Sequence, residues 1–167
     1  MCGITGVFHF DIERQVSAKI VKYMADTLSH RGPDGEGFYI KSNIGLGHRR
    51  LSIIDLESGA QPMYSKDKNI ALVFNGEIYN YIELRDELIR SGYSFSTTSD
   101  TEVLVCAYQK WGMDCLQKLN GCWAFALWDN NKQELIISRD RIGEKPVYFS
   151  TIDNSFVFGS EIKSIIA

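Results

Sequence analysis

The sequence is poor in histidine and proline, three of each among 167 residues, and it carries four cysteines, at positions 2, 106, 115 and 122. No pair of cysteines has CxxC spacing and none has a histidine at zinc-finger distance. Neither a disulfide framework nor a metal site is therefore expected, and Cys106, Cys115 and Cys122 read as core thiols. The histidines His9, His30 and His48 fall in separate segments with no Ser/Asp signature beside them, so each is expected to be structural. There is no basic surplus: Lys+Arg 18 against Asp+Glu 21 gives a formal charge of −3. Nucleic acid is accordingly not an expected partner. No run approaches the eighteen apolar residues of a membrane span, and Met1 to Asp11 lacks the basic start of a signal peptide, so no membrane partner and a soluble, cytoplasmic chain are expected. Internal repeats, low-complexity segments and linkers are also missing. One domain spanning 1–167 is the expectation.

What is present begins at the second residue. Methionine removal would leave Cys2 carrying a thiol and a free α-amine together. Their ordinary pKa values, about 8.5 and roughly 7.7 to 8, are close enough for the amine to act as base to the thiol. A nucleophile served by its own terminal amine needs no histidine. The alternative is that Cys2 is an ordinary small buried residue. A chain that kept Met1 would lack the amine.

The elements follow from periodicity. Residues 4 to 10 form an apolar, β-branched and aromatic run that predicts a buried strand, and Val16, Ile20, Met24 and Leu28 predict a helix over 16–29. Arg31-Gly32-Pro33-Asp34-Gly35 predicts a loop whose glycines adopt positive φ. Strands are expected over 37–42 and 44–54, and polar turn residues over 57–69. Ile70 to Phe74 should be a strand buried on both faces and ending at Asn75-Gly76-Glu77. Helices are expected over 79–91, closed by Ser91-Gly92, and from a Ser99-x-x-Glu102 capping box to Gly112. Strands over 122–128, 134–139, 146–150 and 155–159 suggest an antiparallel meander before a short terminal helix. Strands and helices in blocks argue for α+β with packed sheets.

Three polar clusters interrupt this apolar pattern, each with a plain alternative. Asn75-Gly76 could be a tight turn, or an oxyanion hole in which a backbone N–H and a side-chain amide meet a developing charge. Arg50 could be an edge-strand charge, or a bidentate clamp on a substrate carboxylate. Asp100 could favour a helix dipole, or hold a substrate ammonium.

Taken in order, Met1-Cys2-Gly3-Ile4, Arg31 to Gly35 (RGPDG), His48 to Asp55 (HRRLSIID), Gln61-Pro62-Met63, Phe74 to Tyr81 (FNGEIYNY), Ser99 to Glu102, Arg139 to Phe149 (RDRIGEKPVYF) and Phe158 to Lys163 (FGSEIK) cover nearly the whole chain. In that order and spacing they resemble the class II glutamine amidotransferase domain, an N-terminal nucleophile hydrolase, of glutamine-hydrolysing asparagine synthetases. The resemblance implies a four-layer αββα sandwich of two mainly antiparallel sheets and hydrolysis of L-glutamine to glutamate and ammonia. It implies Cys2 as nucleophile, Asn75 and Gly76 as oxyanion hole, Arg50 on the substrate carboxylate and Asp100 on its ammonium. The main chain of Leu51, Ser52, Ile53 and Ile54, with Glu77, would complete the pocket, and the RGPDG loop would help close it. No cofactor is implied within 1–167. ATP and Mg²⁺ are expected only in a synthetase domain or partner subunit, which would take the ammonia to make asparagine from aspartate and has no counterpart before Ala167. The alternatives are the same glutaminase feeding a sugar or peptide acceptor, and a non-catalytic scaffold.

Overall fold

The computed structural model describes residues 1–52 and 59–167. In chain order the elements are β1 (Gly3–His9), α1 (Ala18–Asp26), β2 (Gly35–Lys41), β3 (Ile44–Arg50), β4 (Met63–Tyr64), β5 (Ile70–Ile78), α2 (Tyr81–Arg90) and α3 (Asp100–Trp111). There follow α4 (Cys115–Lys118), β6 (Gly121–Asp129), β7 (Glu134–Arg139), β8 (Tyr148–Ile152), β9 (Ser155–Gly159) and α5 (Ile162–Ile166). One sheet has the order β2-β3-β1-β9-β8 and the other β4-β5-β6-β7. Each described strand pair is antiparallel.

The two sheets face each other across an apolar layer. Ala71 and Val73 of β5 and Ala124, Ala126 and Trp128 of β6 meet Ile4, Leu46 and Phe158 of the first sheet. Alternate residues turn the other way. Leu72 and Phe74 of β5, with Phe125 and Leu127 of β6, pack under Val103, Leu104 and Ala107 of α3. The run from Ile70 to Phe74 is apolar throughout because both faces are covered, as its sequence predicts. α1 covers β1 and β3, and α5 covers β8 and β9. The result is the four-layer αββα sandwich.

Several expectations are corrected in detail. α1 is shorter than 16–29, and its buried face is Val21, Met24 and Ala25, continued by Leu28 beyond its end, while Ile20 is exposed. Of the i, i+4 series from Val16, Met24 and Leu28 face the core and Val16 is buried just ahead of the helix, whereas Ile20 turns outward and Val21 takes its place on the buried face. β3 stops at Arg50 rather than 54, and residues 53–54 lie outside the described residues. β5 does not end at Asn75-Gly76: it runs to Ile78, with Asn75 opposite Ala124 and Gly76 opposite Trp123. The Asn-Gly turn alternative is thereby excluded, since long-range pairing with β6 overrides the dipeptide's local preference. The meander is split between sheets: β6 and β7 belong to one, β8 and β9 to the other. The short strand β4 lies within the polar run 57–69, and the one-turn α4 lies between the expected helix ending at Gly112 and the expected strand from 122.

Caps also differ. Ser99 does cap α3, but its hydroxyl accepts the Thr101 N–H at 3.1 Å, and Glu102 does not reach back to Ser99. Its carboxylate instead accepts the Ser96 and Thr97 N–H groups and both of their hydroxyls, tying the approach loop to the helix. Gly92, at φ 91, closes α2 with its N–H on Ile89 O, as its sequence predicts. Neither Gly32 nor Gly35 has positive φ. Glycine is needed at 32 because the chain crosses β3 there: a Cβ would lie 2.3 Å from the Arg49 carbonyl carbon. Gly32→Ala should therefore cost about 1–3 kcal/mol by overpacking. Urea unfolding should show a lower midpoint at unchanged slope, and an unchanged midpoint would refute the close-approach explanation.

Candidate active site

The β1–β3 register builds the first wall. Gly3 lies opposite Arg49, so Cys2, one residue earlier, comes beside Arg50 and Leu51. The Leu51 N–H donates to Cys2 Sγ at 3.3 Å, and the thiol is 3.6 Å from Leu51 O. Burial pushes the Cys2 thiol above its ordinary pKa, while the Leu51 contact and the charges of the chain terminus, Arg50 and Arg31 pull the other way. The thiolate is disfavoured without a base.

The second wall is the far end of β5. Asn75 is buried on the inter-sheet side, and its Nδ2 has no hydrogen-bond partner among the described residues. An unpaired buried donor costs roughly 1–3 kcal/mol, so it is kept where something arrives to accept it. The Phe74 N–H donates to Gln61 Oε1 at 2.6 Å and the Ile78 N–H to Asp100 Oδ2 at 3.0 Å. Alternate residues of a strand direct their N–H groups to the same edge. The Gly76 N–H thus lies between these two on the edge away from β6, beyond the reach of β4, which pairs only with Ala71 and Leu72. A Cβ at Gly76 would sit 2.3 Å from Cys122 O, so packing against β6 also demands glycine there.

The third wall is the start of α3. Asp100 is buried, and burial raises its pKa although the Ile78 and Thr101 N–H groups stabilise the ionised form. A carboxylate in that state is favoured further by an arriving cation.

These walls enclose a cavity of about 120 Å³ lined by Cys2, Arg50, Leu51, Asn75, Gly76, Glu77 and Asp100, with Met1 at the terminus. Drug-sized ligands occupy roughly 300–1,000 Å³, so the space suits a single amino acid. Of the candidates from sequence, Ser52 is not in the lining: its N–H donates to Asp34 Oδ2 at 2.8 Å, which ties the RGPDG loop to this wall. Ile53 and Ile54 lie outside the described residues.

Gln61, Ser99, Thr101 and Lys145 line the cavity as well. Gln61 and Lys145 belong to the Gln61-Pro62-Met63 and RDRIGEKPVYF motifs, but nothing local marks a glutamine or a lysine for a cleft. Lys145 is delivered by Asp140, whose buried carboxylate accepts the Trp123, Ile142, Glu144 and Lys145 N–H groups. His48, as expected, is structural: it is fully buried and held near pKa 4 by burial, and its ring contacts Phe74 O at 3.2 Å.

The whole chain, residues 1–167, matches the model of the glutamine amidotransferase domain. The chain belongs to this family. This glutamine amidotransferase domain is 45% identical over 168 residues to "Asparagine synthetase [glutamine-hydrolyzing] 1" of Bacillus subtilis, covering 99% of this chain and 27% of that protein. It is 40% identical over 167 residues to "Asparagine synthetase B [glutamine-hydrolyzing]" of Escherichia coli, covering 99% of this chain and 30% of that one. The domain thus spans less than a third of the length of either relative. Among solved structures it superposes with a TM-score of 0.84 on the glutamine phosphoribosylpyrophosphate amidotransferase of B. subtilis, at 24% identity, covering 99% of this chain and 43% of that one. That likeness carries the N-terminal nucleophile hydrolase fold.

In the native domain, iodoacetamide should modify Cys2 first, at a rate rising through a pH above the ordinary thiol value, because burial raises its pKa. Cys106 and Cys115, pushed up to about 11 by burial, should stay unmodified until unfolding. Peptide mapping would check this, and labelling of Cys106 as fast as that of Cys2 would contradict it.

Proposed function

We propose that this domain hydrolyses L-glutamine to L-glutamate and ammonia through a thioester on Cys2. The observation that supports the reading best is the Asn75 Nδ2, partnerless among the described residues, in the same cavity as the Cys2 thiol. The substrate carries one carboxylate, one ammonium and one amide, and the cavity offers Arg50, Asp100 and the Cys2–Asn75–Gly76 group as complements. Glu77, with the Leu51 main chain, borders the same space.

The mechanism follows from these groups. Removal of Met1 frees the α-amine of Cys2, which takes the thiol proton as Sγ attacks the side-chain amide carbon of glutamine. Charge develops on the amide oxygen, where Asn75 Nδ2 and the Gly76 N–H donate. The amine returns the proton to the departing nitrogen, the C–N bond breaks, ammonia leaves and a glutamyl thioester remains. Water, deprotonated by the same amine, attacks the thioester carbon, the C–S bond breaks, and glutamate and the thiol are regenerated. Raised thiol basicity suits this scheme, since proton transfer to the amine is then concerted with attack rather than preceding it.

The ammonia would pass to an ATP-dependent synthetase domain or partner that converts aspartate to asparagine; the names of the relatives, which print asparagine synthetase and glutamine hydrolysis, support that direction. ATP and Mg²⁺ would belong to that acceptor side, with no cofactor in this domain. No described helix is long and apolar enough to cross a membrane.

Cys2→Ala should abolish ammonia release while leaving thermal unfolding nearly unchanged; an unaltered rate would remove Cys2 from the chemistry. Arg50→Ala should weaken glutamine binding by about 2–5 kcal/mol, the cost of leaving a desolvated carboxylate unpaired. An unchanged affinity by calorimetry would dismiss Arg50 as the clamp.

The pH dependence has a definite sign. Burial raises Asp100 above the usual carboxylate range, and only its ionised form attracts an ammonium. Glutamine affinity should therefore be full above that raised pKa and fall as pH drops through it. Asp100→Asn should weaken binding and flatten this limb; a limb that persisted in the variant would assign it elsewhere.

A further inference from the structure

The start of β1 is held by two consecutive residues from the other end of the chain, both in the FGSEIK motif. The Ser160 hydroxyl accepts the Ile4 N–H at 2.9 Å, and the Ser160 N–H donates to Ile4 O at 2.8 Å. Beside it, Glu161 Oε1 accepts Arg31 Nη1 at 3.1 Å, and Arg31 Nε donates to Cys2 O at 3.0 Å. The Arg31 side chain is only 9% exposed and that of Glu161 28%, so the Arg31 end of this relay is screened from water. We propose that Glu161 is a positioning residue for the Cys2 thiol: its carboxylate orients Arg31, and Arg31 fixes the backbone carbonyl of the nucleophile.

The need for such a device comes from where the nucleophile sits. Chain termini fray unless tied down. A catalytic group must be held to within about 0.5 Å, and a misplacement of about 1 Å can cost roughly 10²-fold in rate. Cys2 precedes the first ladder pair, so the sheet alone does not hold its carbonyl. Ser160 secures the strand from Ile4 onward, and the Glu161–Arg31 pair takes hold two residues earlier.

Glu161 has other partners that serve as internal controls. His30 Nε2 lies 2.9 Å and Lys163 Nζ 3.1 Å from its carboxylate, on exposed side chains that do not reach Cys2. Although partial burial opposes it, the bonds from Arg31, His30 and Lys163 hold the Glu161 pKa near 2. Its folded value lies below the ordinary 4.5, so its ionised contacts are complete above about 4.5 and are lost as pH falls through about 2. The relay is therefore intact across the neutral range.

The inference rests on the glutaminase reading for one of its two readouts, and the experiment separates the two. Wild type, Glu161→Gln, Glu161→Asp and Lys163→Gln are compared for glutamine turnover and for Cys2 alkylation by iodoacetamide. Arg31→Gln and the Glu161→Gln/Arg31→Gln double variant are measured alongside. Glu161→Gln should lower kcat about tenfold with KM changed less than about twofold, slow alkylation of Cys2, and be partly rescued by Glu161→Asp. Lys163→Gln should match wild type, and the double variant should be no slower than Arg31→Gln alone, since both act through one contact. Equal losses in Lys163→Gln, a multiplicative loss in the double variant, or full turnover and alkylation in both folded Glu161 variants would overturn the role. Should Glu161→Gln not fold, Glu161→Asp decides by the same criteria. If wild type releases no ammonia, the glutaminase reading falls, and the alkylation rates alone still test Glu161.

Discussion

The arrangement depends on one register. Pairing Gly3 with Arg49 places β1 against β3 so that the residue before the strand meets the residues after Arg49. A slip of one position would turn Ile4 out of the inter-sheet core and carry Cys2 away from Leu51, because side chains alternate faces with a period of two. Ile4, Leu46 and Phe158 are each fully buried between the sheets, and each such side chain is worth about 1.5–3 kcal/mol in place. Hydrophobic packing thus sets the position of the sulfur, and the polar contacts at Leu51, Arg31 and Ser160 refine it.

The second sheet supplies what the first cannot. β5 is buried on both faces, and its end carries the Asn75 amide on the inter-sheet side and successive N–H groups along its edge. Gln61 and Asp100 accept two of these, at Phe74 and Ile78, and the edge between them at Gly76 borders the cavity. Asp100 is thereby both a structural acceptor for β5 and a buried carboxylate facing the cleft. The two duties are compatible because each carboxylate oxygen can accept more than one hydrogen bond: Oδ2 holds the Ile78 N–H and Oδ1 meets the Thr101 hydroxyl at 3.5 Å, and neither is saturated by that.

Much of this was legible in the sequence. Apolar runs gave most of the strands, and Ser91-Gly92 marked the end of α2. The clusters at Cys2, Arg50, Asn75-Gly76 and Asp100 converge on one cavity, although they are separated by up to 98 residues in the chain. What escaped depended on tertiary contact. Asn75-Gly76 has a strong local preference for a turn, and only β6 alongside keeps it extended. Gly32 signalled backbone freedom, whereas the fold uses its lack of a side chain against Arg49. Ser99-x-x-Glu102 fitted a capping box, yet the loop at Ser96 and Thr97 captured the glutamate. Gln61 and Lys145 reach the cleft from segments whose local pattern says nothing of it.

The most direct test of the central claim is to trap the intermediate. The Met1-free domain would be mixed with L-glutamine, quenched in acid within a turnover, and examined by intact mass and peptide mapping. The account predicts a glutamyl group in thioester linkage on the peptide that begins with Cys2, absent in Asn75→Ala samples quenched at the same time. A turning-over protein with no adduct at Cys2, or with the adduct on Cys106, Cys115 or Cys122, would contradict it.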